Sequence, residues 1–429
     1  MDDSVTLYNC DSRELPIEDE SVDMVMTSPP YYRLRTYLAP DNQIGLESTL
    51  NDYVTSLVNV FNEVKRVLRP WGSLWLNLGD SYAASATGSV GNSSTMTGGQ
   101  RTQNETANRP AKKDLPDGNL LGIPWRVAFA LQDNGWMLRS DCIWSKASLI
   151  PSSVDGWRWE RCRVKVKKES DGERTERGEL GGMLAHSGYD VTVGAQFTPC
   201  LGCKKCTVNG NQGWVLKRGS WRPTRDFEYV FQFSKGDSYY GDREAVKQPV
   251  SEGTLKRVFQ PNLANQHDSN RVPGKTNGPI KPVPNVSGRN LRTVWNGINA
   301  EPGKWPGHHA SFPTALCVIP IKASTSEVGN CCNCGMPWVR MLEKGENVGD
   351  LGMVREIRTV DWKPSCRCDD CYPVPAVVLD PFVGTGSTLI AARELGRRSI
   401  GVDLSEDYMG ICIERLNTPI KKPRRTKND

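Results

Sequence analysis

Asp380-Pro381-Phe382-Val383-Gly384-Thr385-Gly386-Ser387-Thr388 follows an apolar run, Val377 to Leu379, and opens a segment of helical periodicity, Ser387 to Leu395. A strand at Ser399 to Val402 and a helix at Glu406 to Leu416 come next. Residues 375–418 therefore read as one strand-turn-helix-strand-helix unit of an α/β fold. Glycines in such a turn let a ligand approach the backbone amides that open the helix, where the helix dipole favours negative charge. A phosphate-gripping loop would end in Gly-Lys-Ser/Thr, and no lysine is present. A dinucleotide fingerprint would put a third glycine three residues after Gly386, where Leu389 stands.

A ligand carrying both an ammonium and a carboxylate group suits the turn better. Asp380 at the strand end would meet the ammonium, and the amides at Ser387 the carboxylate. Asp403, at the end of the next strand, would accept from two ribose hydroxyls. S-adenosylmethionine (SAM) offers all of these groups. The rival reading is a glycine turn that only tightens a strand-helix connection; two strand-end carboxylates weigh against it.

Toward the N-terminus the pattern repeats. Val5 to Cys10 and Val22 to Met26 are strand-like, and the second stops at Thr27-Ser28-Pro29-Pro30-Tyr31-Tyr32. A Thr49-x-x-Asp52 cap opens a helix from Leu50 to Leu68 that ends before Pro70-Trp71-Gly72, and Ser73 to Leu78 is a buried-type strand. Prolines have no N–H and are stiff, so the turn at 27–32 presents carbonyl oxygens without a competing donor. The Ser28 hydroxyl and the Pro29 carbonyl can accept the two hydrogens of an exocyclic amine, and Tyr31 can stack on a base rotated out of a duplex. A conjugated amine is a weak nucleophile, and two aimed acceptors favour a tetrahedral nitrogen with its lone pair directed at a sulfonium methyl. The competing reading is a rigid surface turn.

With 429 residues the chain exceeds what one core usually holds, so insertions or a second domain are expected. No apolar window reaches the ~18 residues a membrane span needs, and no signal segment opens the chain, so a cytoplasmic protein is expected. A net charge of +5 is too mild to indicate nucleic acid by itself. The first 157 residues form one half of the core, with a mobile Ser/Gly-rich loop at 83–118, a helix from Pro124 to Asn134 and a strand from Trp136 to Trp144. A cysteine-rich insertion covers 158–221, a core strand 222–235, and a Pro/Asn/Gly-rich region 236–307. A core segment follows at 308–328, then a second cysteine-rich insertion at 329–374 and, beyond 418, a basic tail at 419–429.

Fourteen cysteines without a secretory signal point to reduced thiols, and clustered ones to metal. Cys162, Cys200, Cys203 and Cys206 can form one tetrahedral zinc site, with His186 an alternative ligand. Cys331 and Cys334, with two from Cys366, Cys368 and Cys371, can form another. One or two structural zincs are expected; free or redox thiols are the alternative. Cys10, Cys142, Cys317 and Cys412 lie in apolar segments and read as core. The basic run from Arg158 to Lys168, beside Trp157 and Trp159, is either a solvated face or a DNA contact.

Together these segments resemble the amino-group DNA methyltransferases of permuted order, in which the Pro-Pro-Tyr element precedes the glycine motif. The resemblance runs through Asp11, Thr27 to Tyr32, Asn77 to Asp80, Ile143 to Lys146, Thr224 to Tyr229, His309 to Leu316 and Asp380 to Tyr408. It implies a Rossmann-like SAM-dependent methyltransferase fold with a mixed seven-stranded sheet, to which the insertions add small zinc-ribbon-like elements. It also implies Asp11, Asp380, Phe382, Gly384, Gly386, Ser387 and Asp403 on the cofactor, Phe312 and Pro313 over its methionine end, and Ser28, Pro29, Pro30 and Tyr31 at the target base. Target recognition would fall in 236–307. Double-stranded DNA is the implied substrate and a cognate restriction endonuclease a partner. Serine before the proline pair is commoner in family members acting on cytosine N4, and aspartate in those acting on adenine N6. Cytosine is favoured and adenine is the alternative, since the same acceptors hold either amine. A reading of another class is a zinc-ribbon nucleic-acid-binding protein whose methyltransferase core is inactive or acts on RNA.

Overall fold

In the computed structural model, residues 4–33, 42–83, 115–116, 118–146, 156–165, 197–200, 203, 213–253, 256, 288–299, 312–348 and 354–418 are described. Most of the expected loop at 83–118, together with His186, Cys206, His309 and the basic tail, lies outside them.

In chain order the elements are β1 (Val5–Asn9), β2 (Val22–Thr27), α1 (Leu50–Val67), β3 (Leu68–Leu78), α2 (Ile123–Asp133), β4 (Met137–Ser145), β5 (Arg158–Arg161) and β6 (Arg163–Lys165). Then come β7 (Phe197–Pro199), β8 (Trp214–Lys217), β9 (Phe227–Ser234), β10 (Val294–Trp295), α3 (Thr314–Ser324), β11 (Asn330–Cys331), β12 (Trp338–Val348) and β13 (Val354–Pro364). The last are β14 (Pro373–Val374), β15 (Val377–Asp380), α4 (Ser387–Glu394), β16 (Arg398–Asp403) and α5 (Glu406–Asn417).

The main sheet runs β1-β16-β15-β2-β3-β9-β4-β10. Every neighbouring pair is parallel except those of β9, which is antiparallel to both β3 and β4. The sheet is mixed, as expected, and the two-residue β10 adds an eighth strand at the edge. Side chains of β2 feed two layers, with the register shift after Val22 putting Val22 and Val25 in the same one. Val22 and Val25 pack with Tyr53, Phe61 and Val64 of α1 and Val127 of α2, whereas Met24 and Met26 pack with Leu316 and Ile321 of α3 and Ala391 and Ala392 of α4. A sheet covered on both faces needs strands apolar on both sides, and all six residues of β2 are buried.

Helix α1 starts where its cap predicts: the Thr49 side chain accepts from the Asp52 amide at 3.1 Å. Its end corrects the sequence reading. No turn separates helix from strand at Pro70-Trp71-Gly72; β3 begins at Leu68 and runs through them. The register shift between Val22 opposite Leu68 and Met24 opposite Ser73 absorbs the extra residues as an irregularity, where a proline can sit without donating. The described ends of 236–307 pack on the core. Trp295 is buried against Trp75 with ring centroids 5.9 Å apart, and the Tyr240 amide donates to the Trp71 carbonyl at 2.9 Å.

The chain divides into two units. One comprises Met1–Ala84, Pro110–Ala147 and Phe227–Asp429; the other comprises Ser85–Arg109 and Ser148–Asp226. Among the described residues the second unit holds two antiparallel ribbons, β5 with β8 and β6 with β7. No helix among the described residues is long and apolar enough to cross a membrane.

Candidate active site

Parallel pairing of β2 with β15 sets their last residues side by side, although 353 positions separate Thr27 from Asp380 in the chain. The Thr27 hydroxyl donates to Asp380 Oδ1 at 2.7 Å, and the Thr388 hydroxyl donates to Asp380 Oδ2 at 2.7 Å. The Phe382 amide donates to Asp380 Oδ1 at 3.1 Å. Asp380 has no exposed surface, and burial pushes its carboxyl up to about 6. Enclosed, with both oxygens engaged, the side chain ties the proline turn to the glycine turn.

The glycine turn is held from several sides. Gly386 caps α4 in the left-handed region at φ 84°, and a Cβ there would lie 2.5 Å from Cys412 Sγ, so only glycine fits. The Gly384 amide donates to Asp403 Oδ2 at 2.8 Å, and the Ser405 amide to Asp403 Oδ1 at 2.9 Å. Burial raises the Asp403 carboxyl above its ordinary value. A carboxylate has about four lone-pair sites, so the amides of Gly384, Ser405 and Leu404 leave Asp403 capacity for a further donor. Arg415 Nη1 fastens the loop from α5 by donating to the Thr385 carbonyl at 2.7 Å.

Asp11 lies just beyond β1, whose last residue Asn9 pairs with Asp403. A hydrogen bond from Arg13 Nε at 2.9 Å is the main reason its carboxyl sits below the ordinary range. Phe312 packs beside Met26 and Leu316, and Pro313 caps α3. Cys317 Sγ on the first turn of α3 lies 3.8 Å from Thr388 Oγ1 on α4, so the start of α3 adjoins the glycine-turn helix.

In the proline turn, the Tyr53 hydroxyl donates to the Pro30 carbonyl at 2.9 Å, and the Tyr32 ring packs on Tyr53 with centroids 5.3 Å apart. Pro30 thus holds the turn against α1. The Tyr31 hydroxyl donates to Glu228 Oε2 at 2.9 Å and lies 3.5 Å from Ser28 Oγ. Lys146 Nζ stands 2.5 Å from Glu228 Oε1. The sequence reading assigns no site role to Thr27, Thr388, Glu228 or Lys146 individually. The signal for Glu228 is its place at the start of a strand read as returning to the sheet. Because β9 runs antiparallel, that start lies at the edge where β3 and β4 end.

Two groups of thiols come together. Cys331, Cys334, Cys366 and Cys368 have their sulfurs within 4.8 Å of one another, with Cys371 outside this set of four. Cys162, Cys200 and Cys203 form a second group within 4.8 Å, and Cys206 lies outside the described residues. Gly335, at φ 73°, brings the first knuckle against the core: a Cβ there would collide with the Arg69 guanidinium, and Arg69 pairs with buried Asp23 at 3.1 Å. Cys142, Cys317 and Cys412 are buried, whereas Cys10 is partly buried.

A family model described as DNA methylase, for N6 and N4 methyltransferases, matches residues 22–350 and 370–414. The Type II methyltransferase M.SfiI of Streptomyces fimbriatus is 42% identical over 411 residues, covering 92% of this chain and 86% of the relative. The Type II methyltransferase M.SmaI of Serratia marcescens is 28% identical over 411 residues, covering 93% and 86%. Among solved structures, the cytosine-N4-specific PvuII DNA methyltransferase aligns over 98% of this chain and 90% of its own, at 15% identity and a TM-score of 0.42. The chain belongs to the N6/N4 DNA methylase family.

Proposed function

We propose that the chain is a site-specific Type II DNA methyltransferase that uses SAM to methylate the exocyclic amine of an extruded base, cytosine N4 in preference to adenine N6. The observation that carries this reading is the hydrogen bond between Thr27 and Asp380, which sets Ser28-Pro29 beside the glycine turn. SAM supplies an electrophilic sulfonium methyl when bound. Its fit rests on the donor set: a glycine-opened helix start at Ser387, lone pairs left on Asp403, and Phe382, Phe312 and Pro313 as apolar surface. Asp11, Asp380 and Asp403, at or just beyond neighbouring strand ends, would hold the hydroxyl and ammonium groups of SAM.

At the other side of the site, the Ser28 hydroxyl and the Pro29 carbonyl accept the amine hydrogens, so the nitrogen lone pair turns toward the methyl. Tyr31 stacks on the base, its phenol fixed by Glu228. Serine rather than aspartate before the proline pair supports cytosine. A cognate restriction endonuclease is the proposed partner and the cytoplasm the proposed place of action.

The cysteine groups are proposed as structural zinc sites. Four thiolates at ~2.3 Å from a tetrahedral zinc stand roughly 3.8 Å apart, inside the 4.8 Å spread of Cys331, Cys334, Cys366 and Cys368. Cys371 stays outside that shell, and Cys162, Cys200, Cys203 and Cys206 make the second.

Incubation with SAM and unmethylated DNA, followed by digestion and mass spectrometry of the nucleosides, tests the reading. Expected is 4-methylcytosine. A 6-methyladenine product reassigns the base, and a product on RNA alone, or none on varied DNA, overturns the reading.

A further inference from the structure

In the second unit, β5 pairs antiparallel with β8: Arg158 opposes Lys217, Trp159 opposes Leu216, Glu160 opposes Val215 and Arg161 opposes Trp214. Opposed residues share a face, and alternate residues change face. One face therefore carries Trp159 and Arg161 from β5 and Trp214 and Leu216 from β8, and Trp157 and Arg218, one residue beyond the paired ends, continue it. Arg161 sits over the Trp214 ring at 4.4 Å, and Arg218 over Trp157 at 5.1 Å, at opposite ends of the ribbon. These are cross-strand cation–π pairs.

Two properties set this face apart. Its tryptophans are uncovered, Trp157 at 68% and Trp159 at 50% exposure, although exposed indoles in such a cluster are unusual on a surface without a partner. The strands also contribute no acidic residue to it. Glu160, the one carboxylate of β5 and β8, lies on the opposite face, where Arg158 Nε bonds it at 2.6 Å. On one side Arg158 thus meets a carboxylate, and on the other Arg161 and Arg218 lie over indole rings.

We propose that the Trp157–Trp159–Arg161–Arg218 face of the β5–β8 ribbon is a DNA-docking surface, separate from the residues that hold the target base. A duplex is the occupant because its phosphates complement Arg161 and Arg218, and its sugars give the indole rings apolar contact along the backbone. A two-stranded ribbon also matches the ~12 Å width of the major groove. The inference rests on the family's DNA substrate alone, and not on which amine is methylated.

The test uses the full chain and a fluorescein-labelled, random-sequence duplex of about 40 base pairs, with affinity measured by anisotropy at several salt concentrations. The double variant Trp157→Ala/Trp159→Ala should weaken binding roughly tenfold, about 1.4 kcal/mol of lost apolar contact. Arg161→Gln/Arg218→Gln should weaken it and reduce the slope of log K against log[salt] by about 2, at ~0.9 for each phosphate no longer neutralised. Melting temperature and SAM affinity, measured on the same preparations, should be unchanged because all four side chains are at the surface. Arg158→Gln/Lys217→Gln, on the opposite face, removes the same charge and should leave affinity nearer wild type. Wild-type affinity and slope in both aromatic-face variants would overturn the proposal, as would an equal loss from the opposite-face variant. A failure of wild-type methylation on DNA would strike the enzymatic reading instead, since binding is measured without turnover.

Discussion

At the residue scale the proposed base-binding role of Tyr31 depends on how firmly its ring is held. Its phenol donates to Glu228 at 2.9 Å, and Lys146 stands 2.5 Å from the other carboxylate oxygen. Glu228→Ala frees the ring and leaves Lys146 without its anionic partner, whereas Glu228→Gln keeps an acceptor for the phenol. Steady-state kinetics should show a drop in kcat/KM of roughly tenfold to a hundredfold for the alanine variant, a loss of about 1–3 kcal/mol of a charged hydrogen bond, with partial recovery in the glutamine variant. In a Tyr31→Phe background, Glu228→Ala should add little; full additivity would mean that Glu228 acts elsewhere. Ser28 and Pro29 could be named in the sequence because a strand that stops at a proline pair marks a sheet edge. Glu228 could not, because its contribution depends on the direction in which β9 runs, and alternation of Phe227, Tyr229, Phe231 and Phe233 is the same read either way.

At the element scale the start of α4 and the Cys331 knuckle make separate predictions. Gly386→Ala forces a side chain into the left-handed region at φ 84° with Cys412 Sγ 2.5 Å away. The expected cost is on the order of 1–3 kcal/mol, seen as a lower melting temperature together with weaker SAM binding by calorimetry. If zinc occupies the thiols of Cys331, Cys334, Cys366 and Cys368, a strong chelator should release it and lower the melting temperature; Cys334→Ser should purify with less zinc by elemental analysis. An unchanged metal content would count against that site. Helix α1 was legible down to its cap, because Thr49 and Asp52 act locally. The continuous β3 was not: Pro70-Trp71-Gly72 has turn composition, and it stays in the strand because the pairing with β2 shifts register there.

At the scale of the whole molecule, stability responds to a carboxyl buried where two distant turns meet. Asp380 is raised by burial to about 6 in the folded chain and returns to ~3.9 when unfolded. The folded state then binds more protons between those values, so this group's contribution is full below pH ~4 and falls away as pH rises through about 6, by about 3 kcal/mol in all. Melting temperatures from pH 4 to 7 should therefore show Asp380→Asn gaining on wild type as pH rises; a parallel pair of curves would show that Asp380 titrates normally. By itself the sequence determined the α/β class, the capped helices, the glycine turn and the proline turn, because each follows from periodicity or from the conformational limits of a few neighbouring residues. Its length also announced material outside the core, and its cysteine spacings announced thiol clusters. Only the tertiary structure decided which of those thiols meet, that β9 is reversed, that Asp380 clasps Thr27, and that the β5–β8 ribbon turns its tryptophans and two arginines to the same side. The physical reason is that strand order, direction and register fix which distant side chains share an edge or a face, and they are selected by burial over the whole sheet rather than by any local stretch of chain.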